Sequence, residues 1–187
     1  IMTRDEIYRL KAATLYILKK CGGETDYIHL FKILYFAERA HMAKYGTHLV
    51  KDVFCALPKG PVPSFLYDAV KVASGKHLPD PDLTIISEAL TPGEGEGDFW
   101  VRAKDEPDMD ELSKADIALL DESIKENLPK DYRVLSSESH DSAWESAWSK
   151  RQAEPMDEFQ IAKAGGASDG FIEYMKEQET FNNYLRN

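Results

Sequence analysis

An acidic residue on the apolar face of a predicted helix is the feature that most restricts how this chain can fold. The stretch from Tyr27 to Tyr45 has the 3.6-residue periodicity of a helix, and Gly46 follows it as a stop signal. On a helical wheel, Glu38 falls near the centre of the apolar side. An ionised carboxylate left unpaired in a protein interior is costly, so it must find donors or take up a proton. The fold therefore has to supply partners for Glu38.

The remaining side chains of this helix divide between an apolar side and a more polar side. The apolar side carries Tyr27, Phe31, Leu34, Tyr35, Met42 and Tyr45. The more polar side carries Phe36 among His29, Lys32, Arg39 and Lys44. An aromatic side chain exposed among charges is typical of an interface hot spot, so Phe36 is a candidate partner-binding residue. The other interpretation is that a second helix of the domain covers it.

In the structural interpretation, the Glu38 carboxylate fixes the following segment, residues 47–63, to the helix. The available donors are tyrosine hydroxyls, His41, Lys59 and the backbone amides of that segment. A carboxylate that accepts two or three amide N–H groups is well satisfied. The prolines of "PKGPVP" lack amide donors and fix φ, which predicts a rigid turn rather than a strand. We predict a structural clamp made of Glu38, Gly60, Pro61 and Pro63.

In the functional interpretation, Glu38 is a general acid or base in a cleft, and the protein is a hydrolase. Cys55 is the other conceivable reactive group, as a thiol nucleophile with His140 and Glu38. No second acid or nucleophile is visibly paired with Glu38, and no motif surrounds Cys55. The sequence therefore favours the structural interpretation and a non-enzymatic protein.

The rest of the chain predicts an α+β fold that is mostly α-helical, a single domain over residues 1–187 with about six helices around one core. The predicted helices begin at Thr3, at Thr25 or Asp26, at Ser64, at Ser113, near 137–141 and at Asp169. Residues 154–170 are predicted to be a looser stretch. A small antiparallel sheet of two to three strands is predicted from 53–57, 83–91 and 98–103, with "PGEGEG" as a hairpin tip.

Composition and charge limit the classes of partner. The 187 residues include 33 Asp and Glu against 23 Lys and Arg, for a formal charge of −10. Such a surface repels a phosphate backbone, so we expect no direct nucleic-acid binding, and it suits a basic protein partner. No long apolar run indicates a membrane span. Cys21 and Cys55 have no paired spacing, which predicts reduced thiols in a cytoplasmic protein.

Metals and cofactors are not expected either. The five histidines show no zinc-ligand spacing with one another or with cysteine. The acids of "GEGEG" would repel a phosphate, and no P-loop lysine follows that stretch.

Two further features are candidates for partner binding. His140, Trp144 and Trp148 recur at every fourth position and could form an aromatic platform. Their alternative role is a helix start packed on the core, with His140 satisfied by a carboxylate or carbonyl. Lys59 projects from the stiff turn and could meet an acidic group, although a solvated lysine is the usual case.

Three stretches together resemble a known family, the Panacea domain, which is the SocA-like antitoxin domain of phage-associated and toxin–antitoxin proteins. They are "LFKILYFAERAHMAKYG", "VFCALPKGPVPSFLYDAV" and "LSSESHDSAWESAW", in that order. The resemblance covers about residues 25–150 and leaves 151–187 as a variable flank. In that family such flanks help to choose the partner.

The resemblance transfers to individual residues. The family's Leu-Tyr-Phe-Ala-Asp core corresponds to residues 34–38, with Glu38 in place of Asp. The Gly-Pro-Val-Pro turn corresponds to residues 60–63, and a following Leu-Tyr corresponds to Leu66 and Tyr67, which adds Tyr67 to the partner-binding candidates. The late Ser/Thr-His…Trp signature corresponds to Ser139, His140 and Trp144.

The resemblance implies a protein that neutralises a protein toxin, which is expected to be encoded by the adjacent gene. Some members of the family are thought to deliver the toxin to a protease instead of blocking it. Other members are phage-encoded proteins with no known partner.

A third hypothesis, a nucleic-acid-binding regulator of its own operon, requires a concentrated basic face that the sequence does not show.

Overall fold

The structure, a computed structural model, describes residues 1–97 and 99–187. Within them the fold is α+β and mostly helical, as predicted, with nine α-helices rather than about six. The helices are α1 (Arg4–Lys20), α2 (Tyr27–Tyr45), α3 (Ser64–Ala73), α4 (Pro81–Ser87), α5 (Lys114–Asn127), α6 (Tyr132–Ser139), α7 (Ser142–Trp148), α8 (Glu158–Ala164) and α9 (Asp169–Arg186). A 3₁₀ turn covers Met109–Glu111.

The strands form two small antiparallel sheets. One has the order β1-β5-β4, made of β1 (Glu24–Asp26), β4 (Leu90–Pro92) and β5 (Trp100–Ala103). The predicted pairing across the 92–97 hairpin is therefore observed, while β1 was not predicted. The predicted strand 98–103 begins at Asp98, which lies outside the described residues. The other sheet is a hairpin of β2 (Phe54–Leu57) and β3 (Gly60–Pro63).

The prediction of a strand over 83–91 is wrong for its first half, which is helix α4. The β-branched run of Thr84, Ile85 and Ile86 suggested a strand. However, the Asp80 carboxylate accepts hydrogen bonds from the amides of Asp82 and Leu83, and Pro81 occupies the first helical position. These start signals, together with tertiary packing, outweigh the strand propensity.

The prediction that Gly60, Pro61 and Pro63 form a turn rather than a strand is also wrong. These residues are in β3, which returns along β2 with Leu57 opposite Gly60 and Phe54 opposite Pro63. Among the described residues β3 pairs only with β2, so its other edge is free, and prolines that lack an N–H donor are tolerated there.

The C-terminal third contains more helix than predicted. The helix expected to begin near 137–141 is observed as α7, which Asp141 caps, whereas α6, which ends at Ser139, was not predicted. The stretch 154–170, predicted to be loose, contains α8. Residues 153–156 also run along β2, where the Ala56 amide donates to the Glu154 carbonyl at 2.9 Å.

Helix α2 lies at the centre of the fold. It packs against α1, α5, α6 and α8, and against strand β3. One hydrophobic cluster extends from Ile7 in α1 to Met175 in α9. No helix in the described part of the chain combines the length and apolar character needed to cross a membrane.

Candidate functional site

The three sequence stretches that carry the family resemblance meet in space around α2. Strand β3 packs on α2 and on α6, and α7 packs on β2. The polar side chains at this junction are buried or half-buried, and each makes a hydrogen bond or an ion pair with another part of the chain. We call this group of contacts the α2 junction; it consists of Glu38, His48, Lys32, Asp52, Tyr35, Arg39 and Asp141.

Within the α2 junction, Glu38 is fully buried, with 1% of its surface exposed. Its Oε2 accepts a hydrogen bond from the Val50 amide at 2.8 Å, and its Oε1 accepts one from the Leu49 amide at 3.2 Å. The carboxylate therefore contacts the start of the 47–63 segment. Lys59 is exposed at the tip of the β2–β3 hairpin.

His48 connects Glu38 to the C-terminal part of the chain. Its Nδ1 lies 3.3 Å from Glu38 Oε1, as an ion pair whose angle is not that of a hydrogen bond, and its Nε2 contacts Glu158 Oε2 at 2.8 Å. Burial alone would lower the pKa of His48, but the two carboxylates raise it to about 10. A cationic His48 between two anions therefore joins α2, the 47–63 segment and α8.

Lys32 is buried, with 2% of its surface exposed, although the helical wheel placed it on the more polar side. Strand β3 and helix α6 pack beside α2, and a wheel cannot show which side of a helix its neighbours cover. The Lys32 Nζ donates to the Pro61 carbonyl at 2.9 Å, and burial lowers the pKa of Lys32 to about 7. Lys32 thus ties β3 to α2.

Gly60 is the point of closest approach in this contact. Its φ of +111° is in the region that favours glycine. A Cβ added here would lie 2.9 Å from Lys32 Cε and closer still to the Ser139 hydroxyl. Glycine is therefore the residue that lets β3, α2 and α6 pack this closely.

Asp141 organises the other side of the α2 junction. Its Oδ1 accepts from the Trp144 amide at 2.9 Å and so caps α7. Its Oδ2 accepts from the Tyr35 hydroxyl at 2.6 Å and from Arg39 Nη1 at 3.0 Å. The Arg39 guanidinium lies 4.7 Å from the ring centroid of Phe36, which is half-buried at the edge of the core. One carboxylate thereby fixes α7 and the Phe36–Arg39 pair together.

His140, Trp144 and Trp148 form a stacked ladder beside the β2–β3 hairpin. The ring centroids are 3.9 Å apart between His140 and Trp144, and 5.2 Å apart between Trp144 and Trp148. The Trp144 indole N–H donates to the Leu57 carbonyl at 2.9 Å. The His140 Nε2 lies 3.1 Å from the Pro58 carbonyl oxygen. The ladder therefore supports the hairpin tip that presents Lys59.

Tyr67 lies apart from that ladder, on α3. Its ring packs at 5.8 Å from Phe31 and 6.2 Å from Tyr27, near the start of α2. Lys71 lies over the same ring at 4.4 Å from its centroid. The structure thus brings Lys59, His140, Trp144 and Trp148 together and leaves Tyr67 in a separate aromatic cluster.

Asp52 is a buried acid that the sequence analysis did not identify. Its two oxygens accept from the Phe65 and Leu66 amides at 3.0 and 2.9 Å and so cap the start of α3. Burial raises the pKa of Asp52 to about 6, although these amides oppose the shift. The sequence gives one weak signal of this role. Pro63, the N-cap residue of α3, has no side-chain acceptor, so an acid from elsewhere in the chain has to accept from the first amides of the helix.

The two groups considered for hydrolysis have unsuitable surroundings. Glu38 borders a cavity of about 150 Å³ with His48 and Asp52, but both of its oxygens are already occupied by amides. Burial raises the pKa of the half-buried Cys55 thiol, which disfavours the nucleophilic thiolate. Within 1–97 and 99–187, no cluster of three or more His, Cys, Asp or Glu side chains could hold a metal ion.

The structure is thus a mostly helical domain in which the polar side chains of the α2 junction hold helices and strands together. Residues 30–145 match the family model described as "Antitoxin SocA-like, Panacea domain". Because this match covers more than half of the chain, the protein belongs to the SocA-like Panacea antitoxin family. No curated protein and no solved structure shows significant similarity to it.

Proposed function

We propose that this protein is a non-enzymatic antitoxin that neutralises a protein toxin by binding it directly. The observation that carries the proposal is the family match over residues 30–145. The geometry supports it, because Glu38, His48, Lys32 and Asp141 of the α2 junction each contact protein groups. Side chains that are occupied in this way fix the shape of the domain and are not available to act on a substrate.

The expected partner is a basic protein that the adjacent gene encodes. The formal charge of −10 would attract a positively charged protein and increase the association rate. The same charge disfavours direct contact with nucleic acid. We place the interaction in the cytoplasm, where the unpaired Cys21 and Cys55 would stay reduced.

In this proposal, the α2 junction fixes the shape of the binding surface. Glu38 holds the start of the 47–63 segment, and Lys32 holds β3 with Gly60, Pro61 and Pro63. These contacts orient the exposed hairpin tip at Lys59 and the ladder of His140, Trp144 and Trp148. Phe36 and Tyr67 are the other aromatic candidates for contact with the toxin.

Co-expression tests the proposal. The product of the adjacent gene is induced in a bacterial host with and without this protein, and growth and co-purification are measured. We expect the toxin alone to stop growth, and this protein to restore growth and co-purify with the toxin as a stable complex. Failure of both rescue and complex formation would contradict the proposal.

Toxin abundance separates direct blocking from delivery to a protease. Direct binding predicts that the toxin accumulates in rescued cells in an inactive complex. Delivery predicts that the toxin disappears, and that it returns when the host's energy-dependent proteases are deleted. An immunoblot for the toxin at equal transcript level distinguishes the two.

A further inference from the structure

A groove of about 380 Å³ lies between α2 and α5, with α6 at one end and α8 at the other. The α5 side is formed by Leu119, Glu122, Ser123, Glu126 and Asn127, whose spacing of three and four residues places them on one helix face. At a rise of 1.5 Å per residue, this face is about 12 Å long. The groove is therefore long enough for one or two side chains of a partner.

The floor of the groove is partly apolar. It includes Phe36 and Ala40 from α2, Leu119 from α5 and Ala164 from α8. Phe36 and Ala40 are half-buried, so part of their surface faces the groove. An aromatic residue in the centre of a depression can cover the aliphatic part of a long side chain.

The rim of the groove is acidic. Glu122, Glu126 and Glu138 line it and are exposed. Lys130 is shared between two of these acids, at 2.8 Å from Glu138 and 3.6 Å from Glu126. Glu122 has no ion-pair partner among the described residues. Three carboxylates therefore face one ammonium group.

The other cation in the lining does not neutralise this rim. Arg39 pairs with Asp141 at 3.0 Å and stacks on Phe36, so its charge is balanced outside the groove. The lining thus retains an excess of negative charge beside an apolar floor. An arginine or lysine side chain matches this arrangement, because its stem is apolar and its end is cationic.

We propose that this groove binds a basic side chain, arginine or lysine, from a positively charged segment of the protein partner. The cationic end pairs with Glu122 and Glu126, and the aliphatic stem lies on Phe36 and Leu119. This inference rests on the proposed function for the identity of the partner as the toxin. The charge and shape of the groove can be tested separately from that function.

The first experiment uses a fluorescently labelled hexa-arginine peptide as the probe. Binding is measured by anisotropy at low and high salt, with a hexa-citrulline peptide as the uncharged control of the same shape. We expect binding of hexa-arginine that weakens with salt, and at least tenfold weaker binding of hexa-citrulline. Equal binding of the two peptides would overturn the inference.

Two charge-reversal variants locate the site. Glu122→Lys changes the groove, and Glu177→Lys changes an exposed position on α9 by the same two units of charge. We expect Glu122→Lys to weaken hexa-arginine binding by about fivefold to tenfold and Glu177→Lys by about twofold or less. Equal weakening by both variants would mean that only the overall charge matters, and the groove proposal would be wrong.

A second groove variant covers the case in which Glu122→Lys does not fold. Phe36→Leu keeps an apolar residue in the floor but removes the ring, and we expect about fivefold weaker peptide binding. Unchanged binding by a folded Phe36→Leu protein would count against the groove. Circular dichroism of each variant checks that it is folded.

The co-expression assay distinguishes failure of this inference from failure of the proposed function. If the wild-type protein rescues growth and Glu122→Lys rescues it equally well, the groove proposal is wrong and the antitoxin function stands. If the wild type neither rescues growth nor binds the adjacent gene product, the proposed function is wrong, whatever the peptide experiments show. Selective loss of rescue with Glu122→Lys, and not with Glu177→Lys, supports both.

Discussion

The carboxylate of Glu38 shows how one residue can fix the path of a chain. It satisfies the Leu49 and Val50 amides, which are both buried and have no strand partner in either sheet. It also balances the charge of His48. An acid on the apolar face of a helix is therefore compatible with a well-packed core, because its three contacts are all provided by one neighbouring segment.

Replacement of Glu38 tests this role. We expect Glu38→Ala to lower the free energy of unfolding by about 3–5 kcal/mol, because it leaves two amides and a cationic histidine without their acceptor. Glu38→Asp, the residue that the family pattern carries, should cost less because the acceptor is kept on a shorter side chain. Urea unfolding monitored by circular dichroism measures both.

The matched control is Glu177→Ala, an exposed acid on α9. It should change the free energy of unfolding by about 0.5 kcal/mol or less. A Glu38→Ala protein as stable as this control would show that Glu38 does not hold the segment.

Features of single residues could be predicted where they depend only on the spacing of residues along a helix. The position of Glu38 on the apolar face follows from helical spacing alone, so its need for donors could be predicted. The burial of Lys32 and the bridging position of His48 could not, because they depend on β3 and α8, which are distant in sequence.

The start of helix α3 depends on a distant side chain. Asp52 lies 13 and 14 residues before the two amides that it caps, and Pro63 supplies no side-chain acceptor of its own. We expect Asp52→Ala to destabilise the protein by about 2 kcal/mol and to speed hydrogen exchange at Phe65 and Leu66. Exchange measured by NMR reports both amides directly.

Asp80→Ala provides the comparison, since Asp80 caps α4 through the amides of Asp82 and Leu83. That variant should speed exchange in α4 and leave Phe65 and Leu66 unchanged. If Asp52→Ala leaves the exchange of Phe65 and Leu66 at the wild-type rate, the distant cap has no energetic role.

The end of α9 contributes little to the fold. Ile172 and Met175 are its buried residues, whereas Phe181 and Tyr184 are 57% and 79% exposed. We expect removal of residues 181–187 to change the free energy of unfolding by about 0.5 kcal/mol or less. A thermal melt of the shortened protein checks this, and a loss of several kcal/mol would show that the exposed face has a partner within the fold.

Elements with local start signals were predictable, and elements held by tertiary contacts were less so. The helix starts predicted at Thr3 and Ser113 are observed, and each is a capping box between residues three positions apart. Strand β3 and the 153–156 segment owe their conformation to pairing with β2. Such pairing has no signature within the segment itself.

At the scale of the whole molecule, two bases of the α2 junction, His48 and Lys32, have opposite effects on the dependence of stability on pH. The pKa of His48 is raised from 6.5 to about 10, so its stabilisation is complete below pH 6.5 and is lost as pH rises through 10. The pKa of Lys32 is lowered from 10.5 to about 7, so the cost of its burial is complete below pH 7 and is relieved as pH rises toward 10.5. Above pH 7 the two slopes oppose each other.

Variants that lack one of the two bases should reveal how the other base makes the free energy of unfolding depend on pH. Between pH 7 and about 9 we expect the contributions of His48 and Lys32 to cancel, so that the remaining loss of wild-type stability comes from His29, whose pKa is also raised, and above about pH 9 from the thiol of Cys21. Relative to the wild type, His48→Gln should become more stable with rising pH by about 1.4 kcal/mol per unit, and Lys32→Met should become less stable by a similar amount. Urea unfolding across this range measures the slopes.

The combined variant is the control, because removal of both bases should restore a profile close to that of the wild type. A His48→Gln protein with the wild-type profile would mean that His48 is neutral in the folded state. A Lys32→Met protein with the wild-type profile would mean that Lys32 keeps its usual pKa.

The contact between His48 and Glu158 also sets a limit for engineering chimeras of this protein. Transplanting a foreign tail immediately after Trp148 would discard the segment beside β2 and the acid that faces His48. A fusion point placed after Ala164 retains both, together with the α8 residues that pack against α2. A chimera that keeps these contacts should therefore exchange only the last helix.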